Sequence, residues 1–111
     1  MRIALDYDKT YSLDPEFWEK VAVAAELHGH EVAIVTIRDP VLDRTLPLRN
    51  LEGKREVFYT RGVAKRWYLT HFGQGFVPDV WIDDNPDSIV ANSTATPEGL
   101  AKWRAERGEP V

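Results

Sequence analysis

The chain of 111 residues contains no cysteine. Disulfide staples and thiolate metal ligands are therefore excluded, and the composition is compatible with a reducing, cytoplasmic location. It also has no apolar run long enough to cross a bilayer. Its N-terminus is a strand-like segment ending in acids, not a basic segment followed by an apolar helix, so no secretory signal is expected. Excess positive charge is missing as well. A formal charge of -4 and a pI near 5.3 argue against a protein that coats nucleic acid through net charge, leaving a local basic patch open. No internal repeat or low-complexity stretch is visible. What is present, 43% hydrophobic residues in a chain of this length, suffices for one real core, so a single domain over 1–111 is expected.

Along the chain, apolar runs alternate with helical patterns. Ile3 to Leu5 is a short continuous run that suits a strand covered on both faces. Asp14 and Pro15 form a helix start, and the helix should reach about Gly29 with Phe17, Val21, Ala24, Ala25 and Leu27 as its apolar stripe. Val32 to Val35 reads as a second strand. The stretch from Asp39 to Arg55 predicts a short helix within a long loop, with Pro40, Pro47 and Gly53 as breakers and Val41, Leu42, Leu46, Leu48 and Leu51 as anchors. A third strand over Glu56 to Tyr59, a helix over Gly62 to Phe72, a fourth strand over Pro78 to Ile82 and a helix over Pro97 to Arg107 complete the pattern. This alternation predicts an α/β fold: a small parallel sheet of about four strands with helices on both faces, Rossmann-like and three-layered.

The most informative feature is where the acids fall. The first strand runs into Asp6 and Asp8, and the fourth runs into Asp83 and Asp84. If the two strands are parallel neighbours, four carboxylates converge on one sheet edge, and their repulsion calls for a cation, with magnesium the expectation. Ligands of such sheets collect at the carboxyl ends of the strands. Thr36 also lies at such an end, and Lys65 falls in the first turn of the helix preceding strand four.

In order, Leu5-Asp6-Tyr7-Asp8-Lys9-Thr10, Ile34-Val35-Thr36, Gly62-Val63-Ala64-Lys65 and Trp81-Ile82-Asp83-Asp84-Asn85-Pro86 resemble the four motifs of the haloacid dehalogenase superfamily of phosphatases and phosphotransferases, over roughly residues 1 to 90. The resemblance implies Asp6 as the nucleophile that forms an aspartyl-phosphate, and Asp8 as acid for the leaving group and then base for water. It implies that Thr36 binds a phosphoryl oxygen and that Lys65 neutralises charge on Asp6 and on the transferring group. Magnesium would be held by the Asp6 carboxylate, the Asp8 backbone carbonyl and Asp83, with Asp84 a ligand directly or through water. Lys9, Thr10 and Arg38 are the substrate-binding candidates. Lys9 stands where many relatives have Gly, which predicts a less tightly turned chain there and a positive charge over the site.

Blander readings compete. Asp14, Asp39, Asp43 and Asp87 read as solvated loop residues. Thr36 is also a good strand residue, Lys65 has Arg66 and Lys54 as alternatives, and His28, His30 and His71 lack the spacing of a zinc site. Trp67, Trp81 and Trp103 read as packing residues, Trp18 as partly exposed.

Only Tyr11 to Leu13 separate the first motif from the helix cap at Asp14, and only Thr60 and Arg61 separate strand three from the next helix. Neither usual cap insertion has room, so the resemblance is to the capless branch, whose open sites favour a large substrate or coverage by a second subunit. Oligomerisation is not indicated by the sequence itself. Thr36-Ile37-Arg38 resembles the second motif of polynucleotide 3'-phosphatases and related nucleotide phosphatases, tilting the expected substrate to a nucleotide or nucleic-acid end. Asp83-Asp84-Asn85-Pro86 is close to the fourth motif of capless protein phosphatases, which keeps a phosphoprotein open. Arg49, Lys54, Arg55, Arg61, Lys65 and Arg66 concentrate positive charge, more simply read as a solvated face balanced by Glu52 and Glu56 than as a nucleic-acid path. A catalytically weak binding module of the same fold is the alternative function. A receiver-like phosphoacceptor fits less well, because receivers carry their acids after strands one and three.

Overall fold

The computed structural model describes residues 1–90; the helix expected over 97–107, with Trp103, lies outside them. Four strands, β1 (Arg2–Leu5), β2 (Glu31–Thr36), β3 (Val57–Tyr59) and β4 (Val80–Ile82), form one all-parallel sheet in the order β3-β2-β1-β4. The helices are α1 (Pro15–Leu27), α2 (Leu46–Glu52), α3 (Lys65–Phe72) and the single turn α4 (Asp87–Val90). The architecture is α/β and compatible with a Rossmann-like fold.

Strand pleating sorts the core into two layers. Ile3, Leu5, Val32, Ile34, Val57, Tyr59 and Ile82 face one side with residues of α1 and α2, while Ala4, Val35, Phe58 and Trp81 face the other with Leu69 and Tyr68 of α3. Both faces are thus covered, as the continuous apolar runs of β1 and β2 required. The register pairs Leu5 with Ile34 on one side and with Ile82 on the other. Because β1 and β4 stop in register, the acids that follow each strand emerge side by side.

Local chemistry explains the helix starts. The Asp14 carboxylate accepts the Phe17 N–H at 3.2 Å, and Pro15 occupies the first turn of α1. Pro47 likewise sits in the first turn of α2, so it initiates that helix instead of breaking the chain. The face of α1 differs from the expected stripe. Trp18, Ala22 and Ala25 pack on the sheet, whereas Phe17, Ala24 and Leu27 are exposed. Alanine at the contact allows close helix–sheet approach, and Glu19 fixes the helix phase by accepting the Tyr11 hydroxyl at 2.9 Å and Arg55 at 2.7 and 2.8 Å. In the loop after β2, Leu48 and Leu51 are buried anchors, but Val41, Leu42 and Leu46 are exposed.

Helix α3 begins at Lys65, three residues later than the pattern predicted, because Arg61 and Gly62 adopt left-handed backbone (φ 58° and 83°). The segment 60–64 is instead zipped onto the chain after β2. Thr60, Arg61 and Gly62 donate their N–H groups to the carbonyls of Thr36, Arg38 and Ile37, at 2.8, 3.3 and 2.8 Å. That ladder delivers Lys65 to the ends of the central strands. Helix α3 closes at Gly73, where a Cβ would lie 2.4 Å from the Leu69 carbonyl oxygen.

Arg55 is a structural cation whose side chain is only 4% exposed, paired with Glu19 and Glu26. Replacing it (Arg55→Ala) strands two carboxylates and should lower the unfolding free energy by about 2–3 kcal/mol, read from urea denaturation. An effect below about 0.5 kcal/mol would show that this link does not hold α1.

Candidate functional site

Three of the four predicted carboxylates come together. Asp6, Asp83 and Asp84 each place an oxygen within 4.8 Å of the others, an arrangement that could hold a metal ion. Asp6 follows β1 directly and is pinned to the neighbouring strand, its N–H donating to the Ile82 carbonyl at 2.9 Å. The ammonium of Lys65, 1% exposed, enters the same cluster, donating to Asp6 Oδ1 at 2.8 Å and to Asp83 Oδ2 at 2.5 Å. Three carboxylates and one ammonium leave a formal deficit of two positive charges when all are ionised, which a divalent cation would balance. All the free donor atoms are oxygens, the preference of a hard ion. Arg66 and Lys54, the alternatives to Lys65, are exposed on the surface.

The fourth acid is elsewhere. The Asp8 carboxylate is gripped by the Arg38 guanidinium, with contacts of 2.7, 3.0 and 3.1 Å, and Arg38 lies over the Tyr7 ring at 5.3 Å while donating to the Asp43 carbonyl at 3.0 Å. The Asp8 carboxylate therefore stays out of the metal-type cluster. Arg38, expected to await substrate, already has a protein partner.

The remaining candidates divide. Thr10 bridges the cluster, its hydroxyl 3.3 Å from both Asp6 Oδ2 and Asp84 Oδ1. Thr36 is fully buried at the end of β2, and its hydroxyl accepts the Arg38 N–H at 3.3 Å. Lys9 is exposed on the rim of the cavity, with φ 59°. The left-handed region is thus occupied by a residue with a Cβ, and the backbone bears the strain. Ser88 and Asn85 were not singled out. The Asn85 N–H donates to Asp83 Oδ1 at 3.0 Å, and the Ser88 hydroxyl reaches Asp83 Oδ2 at 3.4 Å from the one-turn helix α4. Pro86 followed by Asp87 was the available signal of that helix start. These groups line a cavity of about 260 Å³ with Asp6, Asp8, Lys9, Ile37, Lys65, Asp83 and Asp84.

Two surface readings are corrected. Asp39 is not a solvated loop acid: it is 4% exposed, and its Oδ1 accepts the N–H groups of Val41 and Leu42 while its other oxygen pairs with Arg61 at 3.5 Å. The apparent basic face is dispersed, because Lys65 enters the cluster, Arg55 binds Glu19 and Glu26, and Arg61 pairs with Asp39. Glu52 is taken by Arg44 and the Tyr59 hydroxyl. No helix among the described residues is long and apolar enough to cross a membrane. No family model, curated protein or solved structure matches the chain.

Burial pushes the Asp6 carboxyl from 3.8 up to about 7, against the opposing pull of Lys65 and with help from its hydrogen bond to Asp84. Asp84 is held low by the same hydrogen bond, so without a cation the two acids share a proton that resides on Asp6. In the unfolded chain Asp6 ionises near 3.8. Between that pH and about 7 the folded protein holds a proton that the unfolded chain has released, and the Asp6 contribution to stability falls as pH rises through this window. Magnesium requires the ionised cluster, so the rise in melting temperature it produces should be small near about pH 5 and large near about pH 8. A shift equal at both pH values in thermal unfolding would refute the cluster as its binding site. Separately, Lys9→Gly should stabilise the metal-free protein by up to about 1 kcal/mol in chemical denaturation, by relieving left-handed backbone; a loss of stability would show that the Lys9 side chain makes a compensating contact.

Proposed function

We propose that this protein is a magnesium-dependent phosphomonoester hydrolase of the capless, haloacid dehalogenase-like kind, acting through an aspartyl-phosphate on Asp6. The observation that carries the reading is the buried Lys65 ammonium bonded at once to Asp6 and Asp83 inside an open cavity. A structural ion pair needs one carboxylate. Three acids around one lysine at the ends of neighbouring strands hold more negative charge than the fold itself uses. The short segments after β1 and β3, a turn over Tyr11–Leu13 and residues 60–64, agree with a site that carries no cap at these two positions.

In this reading an Asp6 oxygen attacks phosphorus as the bond to the leaving oxygen breaks, and Asp8 supplies the proton that the leaving group takes. Water then attacks the aspartyl-phosphate, Asp8 takes its proton, and inorganic phosphate departs with Asp6 regenerated. Lys65 opposes the charge that builds on the transferring oxygens, and it keeps the second Asp6 oxygen from rotating. Thr10 would orient Asp6, whereas Thr36, fully buried and outside the cavity lining, would act by holding the Arg38 backbone. A magnesium ion held by Asp6, Asp83, Asp84 and the Asp8 carbonyl supplies charge neutralisation at the phosphoryl group when bound. For Asp8 to act, the Arg38 fork must yield one of its contacts. The pair is partly solvent-exposed, with side-chain exposures of 28% and 43%, so such an exchange is inexpensive.

That same Arg38–Asp8 pairing favours the second reading, a binding module whose acid is permanently occupied. Turnover of a chromogenic phosphomonoester with magnesium decides between them. The hydrolase should release phosphate and lose about a thousandfold or more in kcat on Asp6→Asn, and Asp8→Asn should slow an unactivated alkyl phosphate more than an activated aryl one. A binding module would take up magnesium without releasing phosphate, and full activity of Asp8→Asn on the alkyl phosphate would remove the acid role.

A further inference from the structure

A second cavity, of about 310 Å³, adjoins the first and shares Lys9, Asp83 and Asp84 with it; its other walls are Thr10, Leu13, Trp18 and Ile82. We infer that this groove holds the nucleobase of a nucleotide substrate whose phosphate is the group attacked by Asp6, an inference that rests on the proposed hydrolase reading. Leu13 is 75% exposed and Trp18 half-buried, so apolar surface is left open within one residue wall of the acids. Phe17 meets the Trp18 ring edge-on at 4.9 Å, which fixes the indole's orientation. A flat neutral ring suits this lining. The exposed Asp84 carboxylate at the wall shared with the acids disfavours an anionic occupant there, and it can accept from the amino or imino N–H groups that a nucleobase carries and a plain phenyl ring lacks. Lys9, at the wall common to both cavities, is placed to meet the negative charge of the scissile phosphate itself while the neutral ribose spans to the groove. The volume matches the lower end of small-molecule sites, room for one base and not for an extended polymer.

The occupant is tested by nuclear magnetic resonance of the magnesium-free protein, with the Trp18 indole N–H assigned through Trp18→Phe, followed by kcat/KM with magnesium. Adenosine and adenosine monophosphate should both shift the Trp18 indole signal. Adenosine monophosphate should be preferred about tenfold or more over ribose 5-phosphate, as expected for one stacked base. Leu13→Asp should erase that preference, whereas Leu27→Asp, at the far end of α1 and 82% exposed, should keep it. An unmoved Trp18 signal, equal use of the two phosphates, or a preference that survives Leu13→Asp would overturn the inference. Preference for phenyl phosphate over adenosine monophosphate would also overturn it, in favour of a directly attached aryl group. If adenosine shifts Trp18 but no phosphate is ever released, the groove stands as a base site and the hydrolase reading falls alone.

Discussion

The ammonium of Lys65, buried between the carboxylates of Asp6 and Asp83, is the contact on which the arrangement depends. A desolvated lysine is tolerated only when paired, and two close acids are tolerated only when something positive lies between them. Each group solves the other's problem, and a third acid, Asp84, is drawn in through Thr10. The result is strongly polar, enclosed on the protein side and open on one side to a cavity.

Everything beneath that contact serves to deliver its partners. The order β3-β2-β1-β4 makes β1 and β4 neighbours, so that Thr10 and Asp84, 74 residues apart in the chain, meet just beyond their ends. The ladder between segment 60–64 and the chain after β2 carries Lys65 up to the same edge. Both face-packing layers, Leu5 and Ile34 with α1 on one side and Ala4 and Val35 with Leu69 on the other, hold the strand tips in register. The Arg38–Asp8 pair, just outside the cluster, is of a different character. It is partly exposed, where the Lys65 contact is buried on both sides.

Much of this was legible in the chain. The four strands, the capped start of α1, the short helix among residues 39–55, the strand-end placement of Asp6, Asp83 and Asp84 and the place of Lys65 in the first turn of α3 all follow from patterns short enough to read locally. The phase of α1 did not, because residues 21–25 are apolar on every side and periodicity alone cannot rank Phe17 above Trp18. The start of α3 was misplaced since nothing local announces the left-handed backbone of Arg61. Asp39 looked like any loop acid because its partners, two backbone N–H groups and Arg61, are set by the loop's closure.

By itself the sequence determined which acids stand at the strand ends and that strands deliver them, since an apolar run ending in acids has one sensible orientation in a covered parallel sheet. Only the tertiary structure decided their partnerships: that Asp8 goes to Arg38, that Lys65 and not Arg66 reaches the acids, and that Trp18 borders an open groove. Charges a few ångströms apart choose partners by distance and desolvation, and those quantities exist only once the chain has folded.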